Sequence, residues 1–156
     1  MKIQFIWIGK SKDKEFTTLI EKYFKRLKYY SSAQITMLKE VKSKGRNVEE
    51  LKKQEALLIL DQVKSSDYLV LLDERGKHKT SVELSEWIQH KLNISTSKLI
   101  IVIGGAYGAH RTLKDRADFT LSLSHLTLTH DMARIFIVEQ VYRAFTILRG
   151  EKYHNE

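Results

Sequence analysis

The 156 residues include no cysteine, 27 basic and 19 acidic side chains, for a formal charge of +8. Disulfides and thiolate metal sites are excluded, and a polyanion is the expected partner, nucleic acid ahead of an anionic membrane surface. The length suits a single domain, 1–156, and no run approaches the ~18 apolar residues of a membrane span.

The opening MKIQFIWIGK is too short an apolar run for a signal peptide and lacks a small-residue cleavage site, so a cytoplasmic protein is expected. Within it, residues 2–8 read as a buried strand. Asp13 to Tyr30 reads as a helix, because Phe16, Leu19, Ile20, Tyr23, Phe24 and Leu27 recur at three and four. A second strand spans Ala33 to Leu38, and a polar loop with Gly45 follows. Asn47, with Glu50 three residues on, caps a helix to about Lys64. Tyr68 to Leu72 (YLVLL) and Leu99 to Ile103 (LIIVI) are apolar throughout, as strands covered on both faces are. Between them, Thr80 and Glu83 form a capping box ahead of Trp87, Ile88 and Leu92. A short polar helix over Arg111 to Ala117, a strand over Phe119 to Leu123 and a helix from His130 or Asp131 to Arg149 complete the chain. Strands alternating with helices make an α/β fold, with helices on both faces of a mostly parallel sheet.

Ligands of open α/β sheets sit outside the carboxyl ends of the strands. Three segments there carry unusual chemistry: Leu72 to Lys77 (LDERGK), Ile103 to Gly108 (IGGAYG) and Leu121 to Arg134 (LSLSHLTLTHDMAR). Gly104-Gly105 lets backbone approach a ligand closely. The segment is neither a P-loop nor a dinucleotide fingerprint, so a ligand without phosphates, such as an adenosine-containing cation, fits better. The third segment opens with ten residues free of formal charge when His125 and His130 are neutral.

None of the six histidines forms an HExxH pair and no acidic cluster accompanies them, so no metal is expected. Basic side chains cluster at Lys22, Lys25, Arg26 and Lys28; at Lys39, Lys42, Lys44 and Arg46; at Arg75, Lys77, His78 and Lys79; and at His110, Arg111, Lys114 and Arg116. The last helix is apolar nearly all round, which demands burial on more than one side and favours a subunit interface. Its polar tail ends Tyr153, His154, Asn155, Glu156.

IVIGGAYG, then LSLSHLTLTHDMARIFIVEQVYRAF, then KYHNE together resemble the small SPOUT (trefoil-knot) methyltransferases that act on large-subunit ribosomal RNA. The likeness spans nearly the whole chain, including the IGK start and the LDERGK turn. It implies a deep C-terminal knot and a homodimer whose active sites each use both chains. The implied activity is S-adenosylmethionine-dependent methylation, at N3, of a pseudouridine in helix 69 of 23S rRNA on the assembled ribosome. It implies that backbone at Leu72, Gly104, Gly105, Leu123, Ser124, His125, Leu126, Thr127 and Leu128 holds the methyl donor. The chemistry then falls to the tail: His154 as base, Tyr153 on the substrate ring and Glu156 orienting the histidine. Arg143 stabilises the developing anion, and Arg134, Arg75 and Lys77 meet RNA. Structural ion pairs are the competing reading for Arg134 and Arg143. Ala106 and Thr129 stand where the family often has proline, and Asn155 where a basic residue often follows Tyr-His. Rival readings are a knotted methyltransferase acting on transfer RNA and a non-catalytic ribosome-binding factor.

Overall fold

A computed structural model of the chain describes residues 1–155 other than Lys12, Ser43, Lys44 and Arg46. The expectations placed on Lys44, Arg46 and Glu156 lie outside the described residues. Ten elements follow in strict alternation: β1 (Lys2–Ile8), α1 (Lys14–Leu27), β2 (Ser32–Leu38), α2 (Val48–Leu60), β3 (Tyr68–Lys77), α3 (Ser81–Asn93), β4 (Lys98–Ile103), α4 (Arg111–Arg116), β5 (Phe119–Leu121) and α5 (His130–Leu148).

The five strands form one sheet in the order β2-β1-β4-β3-β5, and every pairing is parallel. All carboxyl ends therefore meet at one edge. The three inner strands are the apolar runs KIQFIWI, YLVLL and KLIIVI, buried on both faces as parallel sheets require. On one face Phe5, Trp7, Val70, Leu99 and Ile101 pack with Ile20 and Leu27 of α1, Ile88 of α3 and Ile137 and Val141 of α5. On the other, Ile6, Leu69, Leu71, Ile100 and Val102 pack with Ala56 and Ile59 of α2 and Leu113 of α4.

Local signals set the helix starts. Asp13, Asn47, Thr80 and Thr129 each accept a backbone N–H of the first turn. Thr80 makes the full box: its Oγ1 accepts from the Glu83 amide at 3.1 Å, and Glu83 Oε2 accepts from the Thr80 amide at 2.7 Å. Thr80→Ala is expected to cost about 1 kcal/mol, with an unchanged urea m-value. Equilibrium urea unfolding checks this.

Several boundaries differ from the sequence reading. Helices α1 and α2 end at Leu27 and Leu60, short of Tyr30 and Lys64, and β5 stops at Leu121 rather than Leu123. Strand β3 continues through the polar LDERGK instead of ending at Leu72. It pairs with β5 at Leu72↔Leu121, and after a register shift Lys77 pairs with Leu121 again. That second pairing needs β5 alongside, which no local pattern announces. Helix α5 packs between α1 and α3 on its inner side, while Met132 (43 %) and Phe136 (40 %) are left exposed and Ile135 and Leu148 half-buried.

Candidate active site

A cavity of about 470 Å³ opens at the carboxyl ends of β3, β4 and β5. Its walls are Leu72 to Arg75, Ile103 to Ala109, and Leu121, Leu123, Ser124, Leu126, Thr127 and Leu128, closed by Lys52, Lys114, His130 and Ala133. Every residue expected to hold the donor lies in this wall except His125. That side chain is exposed and stacks on His78, ring centroids 3.7 Å apart.

Hydroxyl groups shape the loop after β5, which contains no proline. Ser122 Oγ donates to the Ser124 carbonyl at 2.9 Å, and the Leu126 amide donates to Ser124 Oγ at 2.9 Å. Thr127 Oγ1 donates to Glu74 at 3.1 Å, tying the loop to β3. Thr129 Oγ1 then accepts from the Met132 amide at 3.3 Å and starts α5. The slip in the Leu-Ser/Thr alternation at His125 thus falls inside this side-chain-bonded loop, four residues past the end of β5 at Leu121. Leu126 is left 76 % exposed at the cavity wall.

Charge at the cavity is mostly committed. Burial opposes ionisation of Asp73, but the Lys114 ammonium at 2.8 Å and the Arg75 amide at 3.0 Å outweigh it and hold the carboxyl below its ordinary value. Arg75 and Lys77 are exposed, as contacts to RNA need. Arg116, read as part of a basic cluster, instead binds Asp118 and the carbonyls of Lys64 and Asp67. No group of three or more His, Cys, Asp or Glu is placed to hold a metal among the described residues, and none of their helices is long and apolar enough to cross a membrane.

Arg134 faces inward. It is 4 % exposed, donates to the carbonyls of Ile8 (2.6 Å) and Gly9 (3.3 Å) and pairs with Asp131 at 3.0 Å. This is the structural ion pair, and it replaces the expected contact to RNA: a guanidinium buried under the end of β1 has no open side. Beside it His130 lines the cavity. Burial, then the Arg134 cation, hold its imidazole below the ordinary histidine range, against Asp131 and Glu40.

The second glycine of the GG turn has a neighbour that explains it. A Cβ on Gly105 would collide with the carboxylate of Glu55 on α2. Glu55 is buried, its Oε2 has no hydrogen-bond partner among the described residues, and burial, then Glu40, push its pKa up. The folded chain therefore holds this proton more tightly than the unfolded chain. The resulting stability is complete below the ordinary glutamate pKa and is lost as pH rises through the raised value. Glu55→Gln keeps the shape and removes that loss. Its melting temperature relative to the unmodified protein is expected to be higher at pH 8 than at pH 5. Thermal melts at the two pH values check it, and a pH-independent difference refutes it.

Glu151 and Tyr153 anchor the tail. Tyr30 Oη donates to Glu151 at 2.6 Å, and the Glu151 amide donates to the Thr146 carbonyl at 3.0 Å. Tyr153 packs edge-on against Tyr142 and donates to Glu139 at 3.0 Å, and the Arg143 guanidinium lies 4.7 Å over its ring. Burial and the hydrogen bonds to Tyr23 and Glu139 raise the Tyr153 pKa. Arg143 is bound to Glu139 at 2.6 Å. Arg143 Nη1 lies 3.4 Å from His154 Nδ1. A guanidinium only donates, so that imidazole nitrogen is the acceptor. Arg143 stands ten residues beyond Ala133 on α5, about 15 Å along the axis. The structure thus brings Tyr153, His154 and Arg143 together, but away from the cavity of their own chain.

The family model described as "predicted SPOUT methyltransferase" matches residues 1–154. The chain belongs to the SPOUT methyltransferase family. It is similar to proteins named ribosomal RNA large subunit methyltransferase H. The relative from Christiangramia forsetii is 44 % identical over 157 residues, covering 99 % of both chains. That from Flavobacterium johnsoniae is 42 % identical over the full length of both. A third, from Syntrophotalea carbinolica, is 39 % identical over 130 residues, 83 % of each chain.

SPOUT membership carries the trefoil knot and S-adenosylmethionine as methyl donor. The residues of this SPOUT cavity fit that ligand. Its volume is within the roughly 300–1,000 Å³ of small-molecule sites, leucines supply an apolar wall, and the loop over Leu121 to Thr129 has no lysine or arginine to oppose a sulfonium. Sequence reasoning missed Lys52, Tyr107, His130 and Ala133 in this wall. For Tyr107 the position inside GGAYG was a signal, but Lys52 comes from α2, remote in sequence, and nothing local marks it.

Proposed function

We propose that this SPOUT protein transfers a methyl group from S-adenosylmethionine to N3 of a pseudouridine in helix 69 of 23S rRNA, on the assembled ribosome, in the cytoplasm. The cavity carries the reading: an uncharged Leu-Ser-Thr loop and a GG turn meet at the carboxyl ends of β3 to β5, in a chain of charge +8. The likeness to the three relatives, over 83 % of the chain or more, supports rRNA as the substrate.

The donor supplies an electrophilic methyl on a sulfonium. The chain's part is to hold it. Amides and carbonyls at Leu72, Gly104, Gly105 and Leu123 through Leu128, His125 included, meet the nucleoside, and the leucines keep water from it. Arg75 and Lys77, exposed beside the cavity, meet RNA phosphate. The chain acts as a homodimer. Met132, Phe136 and their half-buried neighbours give α5 an apolar face of the kind a second copy covers. The tail, packed beside Arg143 and outside the lining of its own cavity, then serves the partner's, with Tyr153 against the substrate ring, His154 beside it and Arg143 near developing negative charge. The role proposed for Glu156 is to orient His154.

Calorimetric titration with S-adenosylmethionine, followed by methylation of ribosomes, free rRNA and transfer RNA with mass mapping of the product, tests this. Saturable donor binding and a methyl group on helix 69 pseudouridine are expected. No donor affinity favours the non-catalytic binding factor, and methyl only on transfer RNA favours the other enzyme.

A further inference from the structure

Methylating an imide nitrogen requires that its N–H proton leave. The titratable groups that line the cavity are Lys52, Asp73, Glu74, Arg75, Tyr107, Lys114 and His130. The lysines and the arginine are cations without a lone pair to offer. Asp73 is bound to Lys114 at 2.8 Å, and Glu74 accepts from Thr127 at 3.1 Å. Tyr107 is a phenol, a proton donor. His130 differs from all of them. It is half-buried in the first turn of α5, with Thr129 as N-cap, and no hydrogen bond occupies its ring among the described residues.

We propose that His130 is the proton acceptor of the methyl transfer, in the subunit that holds the donor. This deepens the function proposed above and rests on it. As the N3–H proton passes to an imidazole nitrogen of His130, the N3 lone pair forms the new N–C bond to the methyl carbon. The S–C bond breaks with its electron pair going to sulfur. The products are methylated base, neutral S-adenosylhomocysteine and an imidazolium that returns its proton to water.

The surroundings suit this role. Asp131 and Arg134 flank the ring on α5, Glu40 faces it from the segment after β2, and Asp73, Glu74, Arg75, Lys52 and Lys114 share its cavity. Burial and Arg134 win, so the ring stays neutral, and able to accept, below the pH at which a free histidine does. His154, the expected base, lacks this freedom at Nδ1, which accepts from Arg143. Its place in the tail suits contact with the substrate ring.

Single-turnover methylation of ribosomes at saturating donor, from pH 6 to 10, tests the assignment on the full chain. His130→Gln and His130→Ala are expected to lose about 100-fold or more at pH 7. Both should regain about tenfold per pH unit toward alkaline pH, as the substrate's own N–H ionises, with calorimetric donor affinity held within about threefold. Should the alanine variant not fold, the glutamine variant carries the test. A loss equal at every pH overturns the proposal, because a structural defect is indifferent to the substrate's proton. So does a rate restored by excess donor, which makes His130 a binding residue only. Alkaline recovery in His154→Gln but not in His130→Gln also overturns it. An unmodified chain that leaves rRNA unmethylated overturns the proposed function, and this assignment with it.

Discussion

Arg134→Ala is expected to lose about 3–5 kcal/mol of folding stability, more than any other single truncation of a charged side chain in this protein. The guanidinium is buried where β1 ends. It donates to the Ile8 and Gly9 carbonyls, pairs with Asp131 and lies 5.4 Å over the Trp7 ring. Alanine leaves two carbonyls short of a donor and Asp131 with Ser11 Oγ at 3.1 Å in place of the cation. A buried group that loses its partner bears its full desolvation cost. Removing the cation also removes one of the two influences that keep His130 neutral, so the imidazole of the variant should bind a proton more readily. Arg134→Lys, with one ammonium for three acceptors, should fall between the two proteins. Urea unfolding measures both, and a loss under about 1 kcal/mol for the alanine variant refutes the structural role argued here.

That role shows where a sequence stops being legible. The apolar runs KIQFIWI, YLVLL and LIIVI announced three inner strands because burial on both faces leaves no other composition. Asn47 and Thr80 announced helix starts because capping chemistry is local. The GG turn and the neutral loop were legible as a ligand site because a parallel sheet sends its carboxyl ends to one edge, so chemistry placed after β3, β4 and β5 must converge. Arg134 looked like a surface cation because α5 is apolar nearly all round, and periodicity cannot say which side a lone arginine faces when both sides are apolar. What decides it is the carbonyl end of β1, about 125 residues away. Thr129 caps α5, and His130, one residue on, stands in the cavity wall. The histidine's place in the cavity depends on loops it does not touch in sequence. The anchoring of the tail was not legible because its partners are remote in sequence, Tyr30 just past the end of α1 and Glu139 on α5.

Gly76→Ala carries the other large expected effect, and the reason is backbone against backbone. A Cβ there would stand 2.7 Å from the Leu121 carbonyl carbon and 2.8 Å from both the Ser122 nitrogen and the Thr120 carbonyl carbon. No flexible side-chain tip can swing aside; the extension of β3 or β5 itself must move. Lys77 pairs with Leu121, and the Ser122 amide donates to the Lys77 carbonyl at 3.0 Å, so the clash falls inside the pairing that β3 gains beyond Leu72. Overpacking of this kind costs roughly 1–3 kcal/mol or more. The displaced strand leads directly into Leu123 to Leu128, so donor affinity should fall at least about tenfold, the equivalent of about 1.4 kcal/mol. Gly104→Ala is the contrast, because its nearest neighbour, the Ala109 nitrogen, is 3.5 Å away and the methyl fits. Its stability should stay within about 0.5–1 kcal/mol of the unmodified chain. Thermal melts on the two variants, with donor titration on Gly76→Ala, check this. Equal stability losses would mean that β5 yields freely, and that the loop it feeds is not held in place by the β3–β5 pairing.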